Sequence, residues 1–182
     1  MDVELVERAR AGDVEAFEAI AVAMADRLMG IAFGILRDRD LAEDAVQATV
    51  VVAWRDLPRL RDPERFEGWI QRILVRSCTS VHRQARRQWV AVRRIPLDRM
   101  APDPLDGLVD RDTLERAFRH LPIDQRIVLV YRYYLDLPVD VIAAALGVPA
   151  GTVKSRLHYA ISALRAAVDA DTRGVADAEV PA

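Results

Sequence analysis

The chain has 182 residues, 52% of them apolar and 30% charged, with 26 basic side chains against 28 acidic ones. That length allows one or two domains, and the apolar share suffices to bury helical cores, which excludes a globally disordered chain. One cysteine, Cys78, excludes an internal disulfide and a thiolate metal cluster. It falls among apolar helix positions and reads as a buried, inert thiol. The near-neutral total hides an asymmetry: residues 1–67 carry 15 acids and 9 bases, whereas residues 68–97 carry seven arginines and no acid. Such a segment is the electrostatic footprint of a nucleic-acid binder. No charged-apolar-cleavage pattern opens the chain, and no apolar run is expected to approach a bilayer span. The expectation is a cytoplasmic protein with no membrane contact of its own.

In chain order, Asp13 can cap a helix whose apolar positions are Phe17, Ile20, Met24, Leu28, Ile31 and Ile35. Gly30 and Gly34 lie one turn apart and would let another helix approach closely. The next helix is expected to open at Asp40, with Glu43 three residues on completing a capping-box-like start. It runs through Asp44 and Gln47 to Trp54, acidic at its head and apolar over residues 50–54. Residues 55–62 read as a loop broken by Pro58. Asp62 and Pro63 then start a further helix as N-cap and first-turn proline.

On that helix Arg65, Arg72, Arg76, Arg83 and Arg87 are spaced 7, 4, 7 and 4 apart, which at 100° per residue confines them to a band about 40–60° wide. Phe66, Ile70, Ile73, Ser77 and Val81 form the opposing inward face, with Trp69 and Ser80 at the border of the stripe. Arginines without an interleaved acid repel one another and favour phosphates. An aromatic beside them is what a single-stranded track uses, because bases stack on indole and guanidinium planes. A solvated basic face is the plainer alternative.

From Gln88 to about Asp110 the character changes. Pro96, Pro102, Pro104 and Gly107 break periodicity, Asp98, Asp103, Asp106 and Asp110 make it acidic, and a flexible interdomain linker is expected. Asp112 or Thr113 can cap a helix with Leu114, Phe118 and Leu121 inward, ended by Pro122. Ile127, Val130, Tyr131 and Tyr134 mark the next helix. Tyr131, Tyr133 and Tyr134 read as core residues with hydroxyls reaching water.

Residues 138–165 then read as two helices around a tight turn. Val139, Ile142 and Leu146 share one face of the first. Gly147 stands where a left-handed stop is wanted, and Pro149 suits the start of the second. There Val153, Leu157, Ala160, Ile161 and Leu164 face one way; Lys154, Ser155, His158, Ser162 and Arg165 face the other. Lys154 is the single lysine of the chain. A polar, basic, acid-free outer face on the second helix is the helix-turn-helix arrangement, whose second helix enters the major groove; a plain helical hairpin is the bland alternative. Past Asp169 the tail is small and polar and reads as frayed. His82, His120 and His158 lie in separate segments without partners at metal-ligand spacing, and no phosphate-binding glycine loop appears. Neither an enzyme nor a cofactor or metal site is expected.

Two distant stretches carry a resemblance. Leu146-Gly-Val-Pro149 followed by Gly151-Thr-Val-Lys-Ser-Arg-Leu157 resembles the promoter-reading helix-turn-helix of extracytoplasmic-function sigma factors of bacterial RNA polymerase, and Arg39-Asp-Leu-Ala-Glu-Asp-Ala-Val-Gln47, closed by Trp54, resembles that family's second conserved region. The resemblance implies an all-α fold of two small helical domains joined by a flexible linker. Residues 1–89 would bind core polymerase and read the −10 element, 90–110 would form the linker, 111–170 would read the −35 element, and 171–182 would be a tail. It implies docking of Asp40, Leu41, Glu43, Asp44, Gln47 and Trp54 on the clamp helices of the largest polymerase subunit, and of the C-terminal domain on the flap. It implies −10 contacts from Arg65, Trp69, Arg72, Arg76, Ser80, Arg83 and Arg87. It also implies −35 contacts from Thr152, Lys154, Ser155, Arg156, His158 and Tyr159, a linker threading polymerase channels near the RNA path, and an anti-sigma partner. The family usually carries an Asn and an Asp where Arg76 and Ser80 stand, and often arginines where Tyr159 and Ile161 stand. The competing reading is a free-standing helix-turn-helix activator or repressor, which would dimerise on a palindrome.

Overall fold

Three aspartates start the first three helices. Asp2, Asp13 and Asp38 each accept a 3.0 Å hydrogen bond, from the backbone N–H of Glu4, Ala16 and Leu41 respectively, and so satisfy donors that a helix start leaves open. The helices they cap are α1 (Val3–Arg10), α2 (Val14–Leu36) and α3 (Arg39–Asp56). A 3₁₀ turn, Leu57–Arg59, follows, and a second, Pro63–Arg65, capped by Asp62, leads into α4 (Phe66–Val92). The C-terminal half holds α5 (Val109–His120), α6 (Ile123–Leu129), a π-helical turn Val130–Tyr134, α7 (Val139–Leu146) and α8 (Ala150–Ala178). In this computed structural model the described backbone covers residues 1–92 and 109–178, with side chains over 1–88 and 113–170. Every regular element among the described residues is helical.

Several expectations are corrected. Helix α1 is not among the elements expected from the sequence, although Asp2 caps it and Val6 and Ala9, three residues apart, are buried. The α3 cap is Asp38, not Asp40, and Glu43 pairs with Arg39 at 3.0 Å instead of closing a capping box. Helix α2 is by length and composition apolar enough to cross a membrane, contrary to the sequence expectation. Its apolar side chains are nonetheless core: Phe17, Ile20, Met24, Leu28, Ile31 and Ile35 are all buried, packed against α1, α3 and α4. Helix α5 begins at Val109, so Thr113 is buried inside it, its hydroxyl accepting from Arg116, and caps nothing. Leu114 points outward, 44% exposed. Of the three tyrosines only Tyr131 is core; Tyr133 and Tyr134 are exposed. Helix α8 continues to Ala178 where a frayed tail was expected. The prolines and Gly107 assigned to the linker lie outside the described residues.

The two halves meet along one seam. The C-terminal end of α2 faces α6 and the π-helical turn, and α4 faces α7. Gly34 lets the turn come close: a Cβ there would stand 3.2 Å from Val130 Cγ2, and one on Gly30 would collide with the Tyr134 hydroxyl. Arg37, in the left-handed conformation (φ 55°), ends α2 by donating to the Phe33 carbonyl. Buried Arg126 then donates from Nη1 to the carbonyls of Ile35 (3.0 Å) and Leu36 (3.3 Å). These are acceptors a helix end leaves open, at the negative pole of its dipole. Tyr131 donates its hydroxyl to the Gln71 carbonyl at 3.3 Å, and Arg37 pairs with Glu115 at 2.8 Å. Burial lowers the His82 pKa, and Arg126 and Arg86 lower it further.

Candidate nucleic-acid interface

The inner face of α4 explains where its outer face points. Phe66, Ile70, Ile73, Leu74, Ser77 and Cys78 are buried, which turns Arg72, Arg76, Ser80, Arg83 and Arg87 to solvent. Among the described residues none of those four arginines has an ion-pair partner, so their positive field is uncompensated. Arg65 does not belong to the helix: it sits in the preceding 3₁₀ turn and pairs with Asp62 at 3.0 Å. Trp69 is half-buried, tilted on Phe66 with ring centroids 5.7 Å apart. Burial pushes the Cys78 thiol up to about 12, as an inert core thiol requires.

Helices α7 and α8 form the helix-turn-helix. Gly147 adopts φ 67° and closes α7 by donating to Ala143, a conformation only glycine takes without strain. The Pro149 carbonyl accepts from Thr152 at 2.9 Å to begin α8. Val153, Leu157 and Ala160 are buried, so Lys154, Ser155, His158 and Tyr159 are exposed, with Thr152 half-buried. His158 and Tyr159 meet edge-on at 5.6 Å. Arg156 is occupied: its Nε lies 2.9 Å from Asp124 of α6. Ile161, where the family often has arginine, instead lines an apolar groove of about 580 Å³ with Leu114, Phe118, Tyr133, Tyr134 and Leu164.

A third surface lies on α3. Asp40, Glu43, Asp44, Gln47 and Trp54 are exposed along one side, while Leu41 is half-buried and leans into the core. Val51, 67% exposed, completes the stripe. Sequence reasoning placed it in an apolar core run, although positions 47, 51 and 54 share a face by their spacing of four and three. Trp54 rests on Phe17, centroids 4.9 Å apart. Among the described residues no group of three or more His, Cys, Asp or Glu could hold a metal ion.

The surfaces are not independent. Trp69, Arg72, Ile73 and Arg76 of α4 form one wall of a cleft of about 370 Å³, and Ala144, Leu146 and Gly147 at the end of α7 form the other.

Comparison with known proteins gives two separate family matches: Sigma-70 region 2 over residues 21–88 and Sigma-70 region 4 over residues 111–164. The RNA polymerase sigma-E factor of Streptomyces antibioticus is 30% identical over 154 residues, covering 85% of each chain. The ECF RNA polymerase sigma factor SigL of Mycobacterium tuberculosis is 33% identical over 132 residues, 70% of this chain and 75% of that protein. Among solved structures, CnrH in complex with the cytosolic domain of CnrY matches with a TM-score of 0.65 at 26% identity, covering 93% of this chain and 98% of that one. The sigma factor RpoE of Bartonella quintana, solved with the anti-sigma factor NepR, matches at 0.65 and 24% identity over 86% and 98% of the two chains, which speaks for the fold.

Proposed function

The chain belongs to the extracytoplasmic-function family of RNA polymerase sigma factors, and we propose that its two helical units divide promoter reading between them. As a family member it is a transcription initiation factor. Residues 1–89 form the unit that docks core polymerase and reads the −10 element. Residues 90–110 join it to residues 111–170, which read the −35 element, and residues 171–182 are the tail. It acts in the cytoplasm, without catalysis of its own.

The observation that carries the reading is the unpaired arginine face of α4. A free-standing activator would leave it idle, whereas a sigma factor needs it for the strand that is displaced. Arg72, Arg76, Arg83 and Arg87 follow the phosphates, and Trp69 and Ser80 meet bases as the duplex opens. Arg65 guides the strand from the turn ahead of α4. Lys154, Ser155, His158 and Tyr159 enter the −35 major groove. Thr152 lies toward the backbone, and Arg156 holds α8 on α6 through Asp124 beside the phosphates. The exposed stripe Asp40, Glu43, Asp44, Gln47, Val51 and Trp54 docks on the clamp helices, with Leu41 supporting it from within; the C-terminal unit meets the flap. The apolar groove at Ile161 suits a helix of an anti-sigma partner, as CnrH was solved with CnrY.

Magnitudes say why polymerase is required. Opening about ten base pairs costs roughly 14 kcal/mol at about 1.4 per step, and a stacked base returns about 1–3 kcal/mol. The chain chooses where a bubble forms; the polymerase holds it open. Run-off transcription from a promoter library with purified core enzyme tests the reading. Transcripts that start downstream of a shared pair of −35 and −10 words are expected. A start pattern identical to that of core enzyme alone would overturn it.

A further inference from the structure

The cleft where α4 meets α7 has two walls of opposite chemistry. The α4 wall carries the half-buried indole of Trp69 and the exposed guanidiniums of Arg72 and Arg76, which have no ion-pair partner among the described residues. The α7 wall carries acceptors. Gly147 and Val148 both donate their N–H to the Ala143 carbonyl, and Pro149 has no N–H to give. Among the described residues, the carbonyls of Ala144, Ala145 and Leu146 are left at the helix end without a backbone donor. The helix dipole makes that end negative, and the side chains beside it are apolar. The walls enclose about 370 Å³, the size of a small-ligand site. A promoter strand on the arginine face uses the cations and the indole but leaves the facing carbonyls unanswered.

We propose that this cleft binds a free guanine nucleotide carrying two adjacent phosphates. Its diphosphate lies on Arg72 and Arg76, which are one helical turn apart. Its base stacks on Trp69. The guanine edge presents the N1–H and the 2-amino group side by side, and these donate to the open carbonyls of α7. Adenine has a lone pair at N1 and no 2-amino group, so it meets the same carbonyls with an acceptor. A guanine nucleotide spans the cleft because one end is anionic, the other end donates and the middle is a flat ring. When bound, it occupies Trp69, Arg72 and Arg76 and so withholds them from the −10 strand. That consequence for initiation rests on the promoter reading given above; the binding itself does not.

Calorimetric titration of the purified 182-residue chain with GDP, ADP and inorganic pyrophosphate tests the proposal. Saturable one-to-one binding of GDP is expected. ADP and pyrophosphate should each bind about tenfold more weakly or worse, the first for its mismatched edge and the second for its missing base. R72Q/R76Q and W69A should each weaken GDP binding about tenfold or more, and W69F should recover most of the loss. Ala144 is exposed, so A144F fills the cleft without entering the core. This variant is expected to lose GDP binding, keep its helical circular dichroism and bind a single-stranded −10 oligonucleotide as wild type does. Titration without saturation at about 1 mM GDP, ADP or pyrophosphate binding as tightly as GDP, or an A144F chain that still takes GDP overturns the proposal. A chain that binds GDP yet directs no initiation keeps the site and refutes the promoter reading; a chain that initiates and ignores GDP does the reverse.

Discussion

Helices α4 and α8 both present a basic outer face, yet they are built differently. On α4, four arginines stand free of acids and one half-buried indole lies beside them. On α8, one lysine is surrounded by Ser155, His158 and Tyr159, and the nearest arginine is held by Asp124. The first is a diffuse field suited to a flexible, phosphate-rich strand. The second is a shaped set of donors and acceptors suited to base edges in a fixed groove. Charge should therefore dominate what α4 does and geometry what α8 does.

The largest expected effect breaks the α4 side. R72E/R76E should lower productive initiation about hundredfold, close to 3 kcal/mol at 1.4 per tenfold, measured as run-off product per unit time, with far-ultraviolet circular dichroism unchanged because both side chains are exposed. Next, K154A/H158A should cost about 1–3 kcal/mol on a promoter with an intact −35 element. It should cost nothing further on one whose −35 word is scrambled, as read by titrating holoenzyme on both. A finer contrast is the salt slope. R83Q should reduce the slope of log affinity against log salt by about 0.7 on single-stranded −10 DNA, and S155A should leave it unchanged. The smallest effect lies on the inner face of α4 alone: Cys78, with its thiol pushed up to about 12 by burial, should resist alkylation at pH 8 until the chain is unfolded. Rapid native-state labelling would place α4 wrongly.

The amphipathic faces were legible because periodicity survives in the sequence. The apolar series of α2, the arginine spacing of α4 from Arg72 to Arg87 and the Gly147–Pro149 turn each predict the side chain's direction correctly, whereas Arg65, the first of the spaced arginines, falls in the 3₁₀ turn ahead of the helix. What escaped was set by neighbours in space. Leu114 reads as core, but it lines an open groove with Phe118 and Ile161. Val51 sits in a run of apolar residues, only part of which α3 can bury. Asp38 outcompeted Asp40 as a cap because the left-handed Arg37 immediately before it ends α2 and sets where α3 begins. The seam was half visible: Gly30 and Gly34 announced a close approach, but nothing local says that Val130 and Tyr134 make it, or that Arg126 lies across from Ile35 ninety-one residues away.

The account stands or falls on α4 opening DNA while α8 anchors it. The most direct measurement is the initiation rate of holoenzyme carrying R72E/R76E on a fully duplex promoter and on the same promoter pre-opened across the −10 element. The account predicts near-complete loss on the duplex and substantial recovery on the pre-opened template, with K154A/H158A weak on both. Equal impairment of R72E/R76E on the two templates would contradict it.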